Sequence, residues 1–230
     1  MRLFIPILFL LLILNSAAIQ ANSAVIETDS IIPNSEKTDL YIRVFKKEQQ
    51  LEIWVKSRKD HRFSFLKSYE ICGKSGELGP KRKEGDLQIP EGFYFVESFD
   101  PDNQFYKGLK LDYPNEADRI LGDKISPGSD IFIHGSCTST GCIALSNEIM
   151  DIIYPIVENA KMQGQQQIPV HIYPCHFGQI NLELFIDSNP GFKVYRNFWD
   201  SLSKVFLHFE RWKTLPWIKI GENGNYSIIK

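Results

Sequence analysis

Apolar residues recur at two spacings along this chain. Over Leu40–Phe45, Leu51–Val55 and Phe63–Ile71 the apolar, β-branched and aromatic residues come at strand spacing. The polar break Lys46-Lys-Glu-Gln-Gln50 predicts a hairpin between the first two. Phe93–Phe99 and Val170–Tyr173 predict two further strands, and Gly73–Asp86 reads as a Gly- and Lys-rich loop. From Ser146 the period lengthens: Ile149, Ile152, Ile153, Ile156 and Val157 predict a helix over Ser146–Gln163 that Pro155 should bend. A second, amphipathic helix is predicted over Asn197–Lys213, with a short strand or tail at Tyr226–Ile229.

The N-terminus has a different pattern. Arg2 precedes an apolar run that ends at Leu14, and the small-residue stretch Ser16-Ala-Ala-Ile-Gln-Ala21 follows. This is the layout of a secretory signal peptide with cleavage near Ala21, since a spanning helix needs about 18 or more apolar residues. Asn22–Asp39 is polar and aperiodic and reads as a flexible lead. The expected division is 1–21 signal peptide, 22–39 linker, 40–175 main domain and 176–230 C-terminal extension.

Composition narrows the class. The 230 residues are 43% apolar and 23% charged with a net charge of −2, which suits a globular domain and gives no basic excess for nucleic acid. Export makes pairing of cysteines favourable. If one of the four, Cys72, Cys137, Cys142 and Cys175, is a catalytic thiol, at most one disulfide forms among the others. Its partners are not deducible from spacing, and a bridge between Cys137 and Cys142 across the turn is an alternative that would silence the thiol.

The most chemically loaded segment is Ile131-Phe-Ile-His-Gly-Ser-Cys-Thr-Ser-Thr-Gly-Cys-Ile-Ala-Leu-Ser146. A β-type run, Ile131–Ile133, would deliver His134 at a strand end, Gly135 and Gly141 permit a tight turn, and Ser146 can cap the following helix. A thiol at Cys142 just before a helix N-terminus would have its pKa lowered by unpaired N–H groups and the macrodipole. The alternative grouping of His134, Cys137, Cys142, Cys175 and His176 has zinc-type ligands, but its spacing matches no usual zinc pattern.

His134-Gly135 followed by Ser139-Thr-Gly-Cys142-Ile resembles the His-Gly…Ser-x-Gly-Cys signature of the L,D-transpeptidase (YkuD-type) catalytic domain family, in particular its YafK-like murein branch. Two further blocks are similar to the family: Gly79-Pro-Lys81 with Gly85-Asp-Leu-Gln-Ile-Pro-Glu-Gly-Phe-Tyr94, and Leu109–Asn115 with Asp118-Arg119. The resemblance covers roughly Leu40 to Pro174. It implies a mainly β fold with accessory helices (α+β), a YkuD-like β-sandwich or barrel-like domain with a C-terminal helical extension.

The resemblance also implies roles. Cys142 matches the nucleophile and His134 the general base and acid, oriented by a backbone carbonyl near Gly135 or Ser136. Backbone N–H groups at Gly141 and Cys142 would bind the oxyanion, and Ser139 would support the turn. The chain departs from the typical family at Thr140 and Ala144, the latter where an Arg is usual, and the YafK-like branch shares that departure.

The implied activity is acyl transfer on peptidoglycan stem peptides in the periplasm, part of cell-wall remodelling, with no metal or organic cofactor. The same thioester could be resolved by water, releasing a wall-linked lipoprotein, and a non-catalytic wall-binding module is the alternative from a different class. Lys74, Lys81, Arg82 and Lys83 form a basic loop, of which Lys81 and Arg82 are candidate contacts for substrate carboxylates. His171 and His176 read as structural. Phe198, Trp199, Phe206, Phe209, Trp212 and Trp217 read as a packing face against the domain.

Overall fold

The computed structural model describes residues 37–229. The expected signal peptide and nearly all of the expected linker lie outside the described residues. Strand β1 spans Thr38–Phe45, β2 Gln50–Ser57 and β3 Ser64–Glu70, and these pair antiparallel in sequence order. The first strand starts two residues before the expected domain boundary. β4 (Gly92–Asp100) and β5 (Gly108–Leu111) follow, then a six-residue helix α1 (Glu116–Leu121) capped by Asn115. The chain continues through β6 (Phe132–His134), β7 (Ile143–Ala144), helix α2 (Asn147–Met162) and β8 (Pro169–Tyr173). The C-terminal extension contributes α3 (Leu182–Ser188), a 3-10 segment at Pro190–Tyr195, α4 (Arg196–Trp212) and the hairpin β9 (Trp217–Ile220) and β10 (Tyr226–Ile229).

The main sheet has eight strands in the order β3-β2-β1-β8-β4-β5-β6-β7. Most neighbours are antiparallel, but β1 with β8 and β6 with β7 run parallel. A register shift in β4 between Val96 and Ser98 bends the sheet. Gly73, just past β3, forms a bridge with Ala144 of β7, so the curled sheet nearly closes on itself. This accounts for the barrel-like character expected of the domain.

The central strands are covered on both faces. Leu40, Ile42 and Val44 of β1 join Val170 and Ile172 of β8 and the apolar face of α2 in one core. The intervening Phe45 and Tyr173 pack instead with Trp199, Leu202 and Phe206 of α4. That two-sided burial is why β1 reads as a nearly continuous apolar run. Its one charged residue, Arg43, is 1% exposed and lies between Glu52 and Glu210, each at 2.6 Å, with aromatic rings of Trp54, Phe206 and Phe209 around it.

Helix α2 starts where Ser146 accepts from Ile149 N (3.3 Å), as the sequence predicts, and it carries Pro155 in its interior. In α4, Phe198, Trp199, Leu202, Val205, Phe206 and Phe209 form the buried face, but Trp212 and Trp217 are exposed. Trp212 ends the helix and Trp217 faces outward on the two-stranded hairpin, so neither belongs to the packing face expected of them.

Candidate active site

The parallel pairing of β6 with β7 sets the site. Ile133 pairs with Ile143 and His134 with Ala144, both isoleucines wholly buried. Cys142 enters beside Phe132, whose N–H donates to Sγ at 3.4 Å. A His at the end of one short strand and a Cys at the entry to its parallel neighbour therefore stand two positions out of register on the same side of the pleat.

His134 is 1% exposed, and Nδ1 lies 2.6 Å from Gly135 O. A carbonyl only accepts, so the proton of the neutral imidazole sits on Nδ1 and Nε2 is left as the basic atom. Burial holds the imidazole pKa below its ordinary value, with the Gly135 carbonyl opposing. Gly135 cannot bear a side chain: a Cβ would stand 2.5 Å from Asn147 Oδ1 and 3.0 Å from Tyr106 Cβ. Asn147 Oδ1 instead accepts from Ser136 N at 2.8 Å, fixing the turn after the strand.

The environment of Cys142 corrects one expectation. Ile143–Ala144 intervene as a strand between the thiol and α2, so the helix N-terminus is not what Sγ faces. Burial pushes the Cys142 thiol above its ordinary value, and the Phe132 N–H and the charge of Lys81 only partly offset this. Sγ also lies 3.7 Å from Asp130 O, a carbonyl that can hold the thiol proton. In this state the hydrogen bonds of the thiol run to Phe132 and Asp130 rather than to His134. A protonated thiol beside a neutral imidazole needs the imidazole as a base at the moment of attack, and such contacts commonly tighten only with substrate bound.

The turn between the two residues is held by Ser139, whose Oγ donates to Cys142 O (2.7 Å) and accepts from Gly141 N (3.1 Å). The Gly141 N–H expected in an oxyanion hole is thus engaged within the turn and would have to exchange partners to serve there. Gly141 has φ +133, and a Cβ would meet Gln88 O at 3.2 Å, which explains the glycine.

Cys137 pairs with Cys72, leaving Cys142 and Cys175 free. The Cys137–Cys142 alternative is overturned, because Cys72 N and Gly73 N both donate to Ala144 O and bring the end of β3 against the turn. The zinc grouping is not assembled either: Cys175 and His176 lie in the aromatic core with Phe45 and Phe206, and among the described residues no three His, Cys, Asp or Glu side chains are grouped to hold a metal. His171 is buried, with Nδ1 2.9 Å from Tyr41 OH, and burial pushes its pKa down to about 3.

Cys142 opens onto a cleft of about 360 Å³ bordered by Lys81, Leu87, Phe105, Asp130 and Thr140. The basic loop divides there. Lys81 is 4% exposed and lines the cleft, its ammonium donating to Asp86 Oδ1 (2.8 Å) and Lys83 O (2.9 Å) with one of three N–H groups left over. Arg82 turns the other way, over the Phe198 ring and toward the buried Asp118 carboxylate at 3.8 Å. It does not line the cleft, which corrects its pairing with Lys81 as a substrate contact: the buried carboxylate and the aromatic face draw the guanidinium inward. Asp86 organises the loop by accepting from the N–H groups of Arg82, Lys83 and Gln88.

Sequence reasoning passed over Phe105, Asp130 and Asn147. Phe105 carries one legible signal, an aromatic pair with Tyr106 in the turn-rich stretch Pro101–Gly108, while the roles of Asp130 and Asn147 depend on main-chain contacts with no residue-type signature.

Residues 39–172 match the L,D-transpeptidase catalytic domain family, YkuD. The YafK protein of Escherichia coli strain K12, named for a provisional L,D-transpeptidase assignment, is 36% identical over 193 residues, covering 83% of this chain and 74% of its own. Among solved structures, the helical cell shape determining protein Pgp2 of Campylobacter jejuni is 19% identical, with a TM-score of 0.47 over 81% of this chain and 74% of its own. Bd1075 of Bdellovibrio bacteriovorus is 18% identical, with a TM-score of 0.41 over 74% of this chain and 62% of its own.

Proposed function

Since the chain belongs to the L,D-transpeptidase catalytic domain family, we propose that it transfers acyl groups between peptidoglycan stem peptides through a thioester on Cys142, with His134 as general base and acid. The observation that carries this reading is the placement of His134 at the end of β6 and Cys142 at the entry to the parallel neighbour β7, with Nδ1 held by Gly135 O and Sγ open to the cleft.

In this mechanism Nε2 takes the thiol proton as Sγ attacks the amide carbonyl of a diaminopimelate residue. The tetrahedral intermediate collapses with cleavage of the C–N bond, and the imidazolium returns its proton to the leaving amine. An acceptor amine then attacks the thioester, His134 takes its proton, the C–S bond breaks to release the thiolate, and the imidazolium passes the proton to Sγ to restore the thiol. Lys81 supplies a positive charge at the cleft wall suited to a donor carboxylate. Export to the periplasm belongs to the same proposal, because the substrate is there and a Cys72–Cys137 disulfide suits an oxidising compartment.

The test is mass-spectrometric product analysis of mature wild-type and Cys142→Ala protein incubated with defined muropeptides and with lipoprotein-linked sacculi. New cross-linked dimers or exchanged terminal residues from wild type alone support transpeptidation. Release of lipoprotein peptide without cross-links assigns the chain to hydrolysis, and equal products from both proteins favour a wall-binding module.

A further inference from the structure

Phe105 lies in the loop that joins β4 to β5. Its ring stacks on the His134 imidazole, with centroids 4.9 Å apart and planes inclined by 28°, and it borders the cleft that holds Cys142. Three separate hydrogen bonds fasten this loop around the His134 turn. Ser136 Oγ donates to Phe105 O (2.9 Å), Gly135 N donates to Tyr106 O (2.9 Å), and Tyr106 OH donates to Asp151 Oδ1 of α2 (2.7 Å). Tyr106 and Lys107 have φ of +74 and +45, left-handed conformations that residues with side chains adopt only where surroundings impose them. The strain therefore falls on the two residues after Phe105.

The Gly135 carbonyl fixes one atom of the imidazole, Nδ1. A single hydrogen bond sets direction in the ring plane but tolerates a tilt about it, whereas an aromatic ring laid on the imidazole face opposes the tilt. We propose that Phe105 is a positioning residue for His134: its ring fixes the imidazole plane so that Nε2 stays turned to the Cys142 thiol, while the same ring forms a wall of the donor cleft. This rests on the reading of His134 as the base.

The charged groups of the neighbouring elements are already engaged. Lys107 pairs with Asp151 at 2.5 Å, and Lys110 pairs with Asp130 at 3.2 Å. The lowered pKa of His134 comes from burial and not from a charge, so a ring that shields the imidazole should change its titration when removed.

The experiment compares Phe105→Leu, Phe105→Tyr and Ser136→Ala in the mature protein, reading the His134 titration by NMR of its Cε1–H together with kcat and KM on a muropeptide donor. In Phe105→Leu the imidazole titrates at higher pH and kcat falls about tenfold, the factor that corresponds to the loss of one aromatic stack, with KM changing less. Phe105→Tyr restores both toward wild type. Ser136→Ala, which loosens the loop and keeps the ring, moves both in the Phe105→Leu direction by a smaller amount. The proposal is overturned by a Phe105→Leu protein with unchanged titration and kcat, by a rise in KM alone, or by a Phe105→Tyr protein as impaired as Phe105→Leu. A fully active His134→Gln protein would overturn the base reading itself. An inactive His134→Gln beside an unaffected Phe105→Leu would overturn only the positioning role.

Discussion

Trp199 Nε1 donates to Glu91 Oε2 at 2.7 Å in a wholly buried contact between α4 and the turn that opens β4. The other oxygen of Glu91 accepts from Gly79 N (2.8 Å) and faces Lys46 Nζ at 3.0 Å. The C-terminal extension thereby completes the coordination of a buried carboxylate in the family domain, and its apolar face covers Phe45, Phe93 and Tyr173.

Removing residues 176–230 should therefore yield a chain that does not fold alone. A cooperative melt from the truncated protein would refute this. The milder Trp199→Phe change leaves Glu91 Oε2 without its indole donor and should cost about 1–3 kcal/mol in urea unfolding.

The pH dependence of kcat/KM should show a wide plateau. Burial lowers the His134 pKa, so the acid limb should fall below the ordinary imidazole range. Burial raises the Cys142 thiol, so the alkaline limb should lie above the ordinary thiol range. In a preformed thiolate–imidazolium pair the acid limb would report the lowered thiol and the alkaline limb the raised imidazole, so the position of the alkaline limb in pH–rate profiles on a muropeptide donor distinguishes the two.

The Cys72–Cys137 disulfide closes a sequence separation of 65 residues and fastens the end of β3 to the turn between His134 and Cys142. Chain entropy alone assigns a loop of this length about 4 kcal/mol. The double Cys72→Ser, Cys137→Ser protein should unfold at a clearly lower denaturant concentration. Thiol titration of the mature wild type should find two thiols in denaturant without reductant, from Cys142 and Cys175, and detection of all four would exclude the bridge.

Asp118 is buried, and its carboxyl is pushed up to about 7, mainly by burial and despite hydrogen bonds from Tyr94 OH and Asn115 N. A carboxyl whose folded pKa exceeds its unfolded value of 3.8 stabilises the fold below that value, and the contribution is lost as pH rises toward 7. Unfolding free energy of the wild type should decline over that window, and Asp118→Asn should flatten the decline. Parallel curves for the two proteins would count against the assignment.

Much of the fold was legible in local pattern. The strands β1 to β4 and β8, the Ser146 cap and the α4 helix announced themselves because side chains at period two or 3.6 are sorted by the face they bury. The short elements escaped: β5 and β7 have four and two residues, too few for a period to emerge, and β9 exposes Trp217 against the expectation for its aromatics.

At the site, the sequence alone determined the residue types, the glycines of the turn and the family signature, because chemistry and tight backbone paths restrict which residues can stand at those positions. Tertiary structure decided the rest. Which cysteine bridges, whether Lys81 or Arg82 meets the cleft, and what lies on the His134 ring all depend on segments far apart in the chain. The curl of the sheet brings Gly73 to Ala144, and the buried Asp118 turns Arg82 away from the cleft. The thiol was expected to be acidified by a helix and is instead raised by burial, because a two-residue strand stands between Cys142 and α2. Local sequence specifies what a residue can do, and the through-space neighbours that set its solvation and orientation are fixed only when the sheet closes.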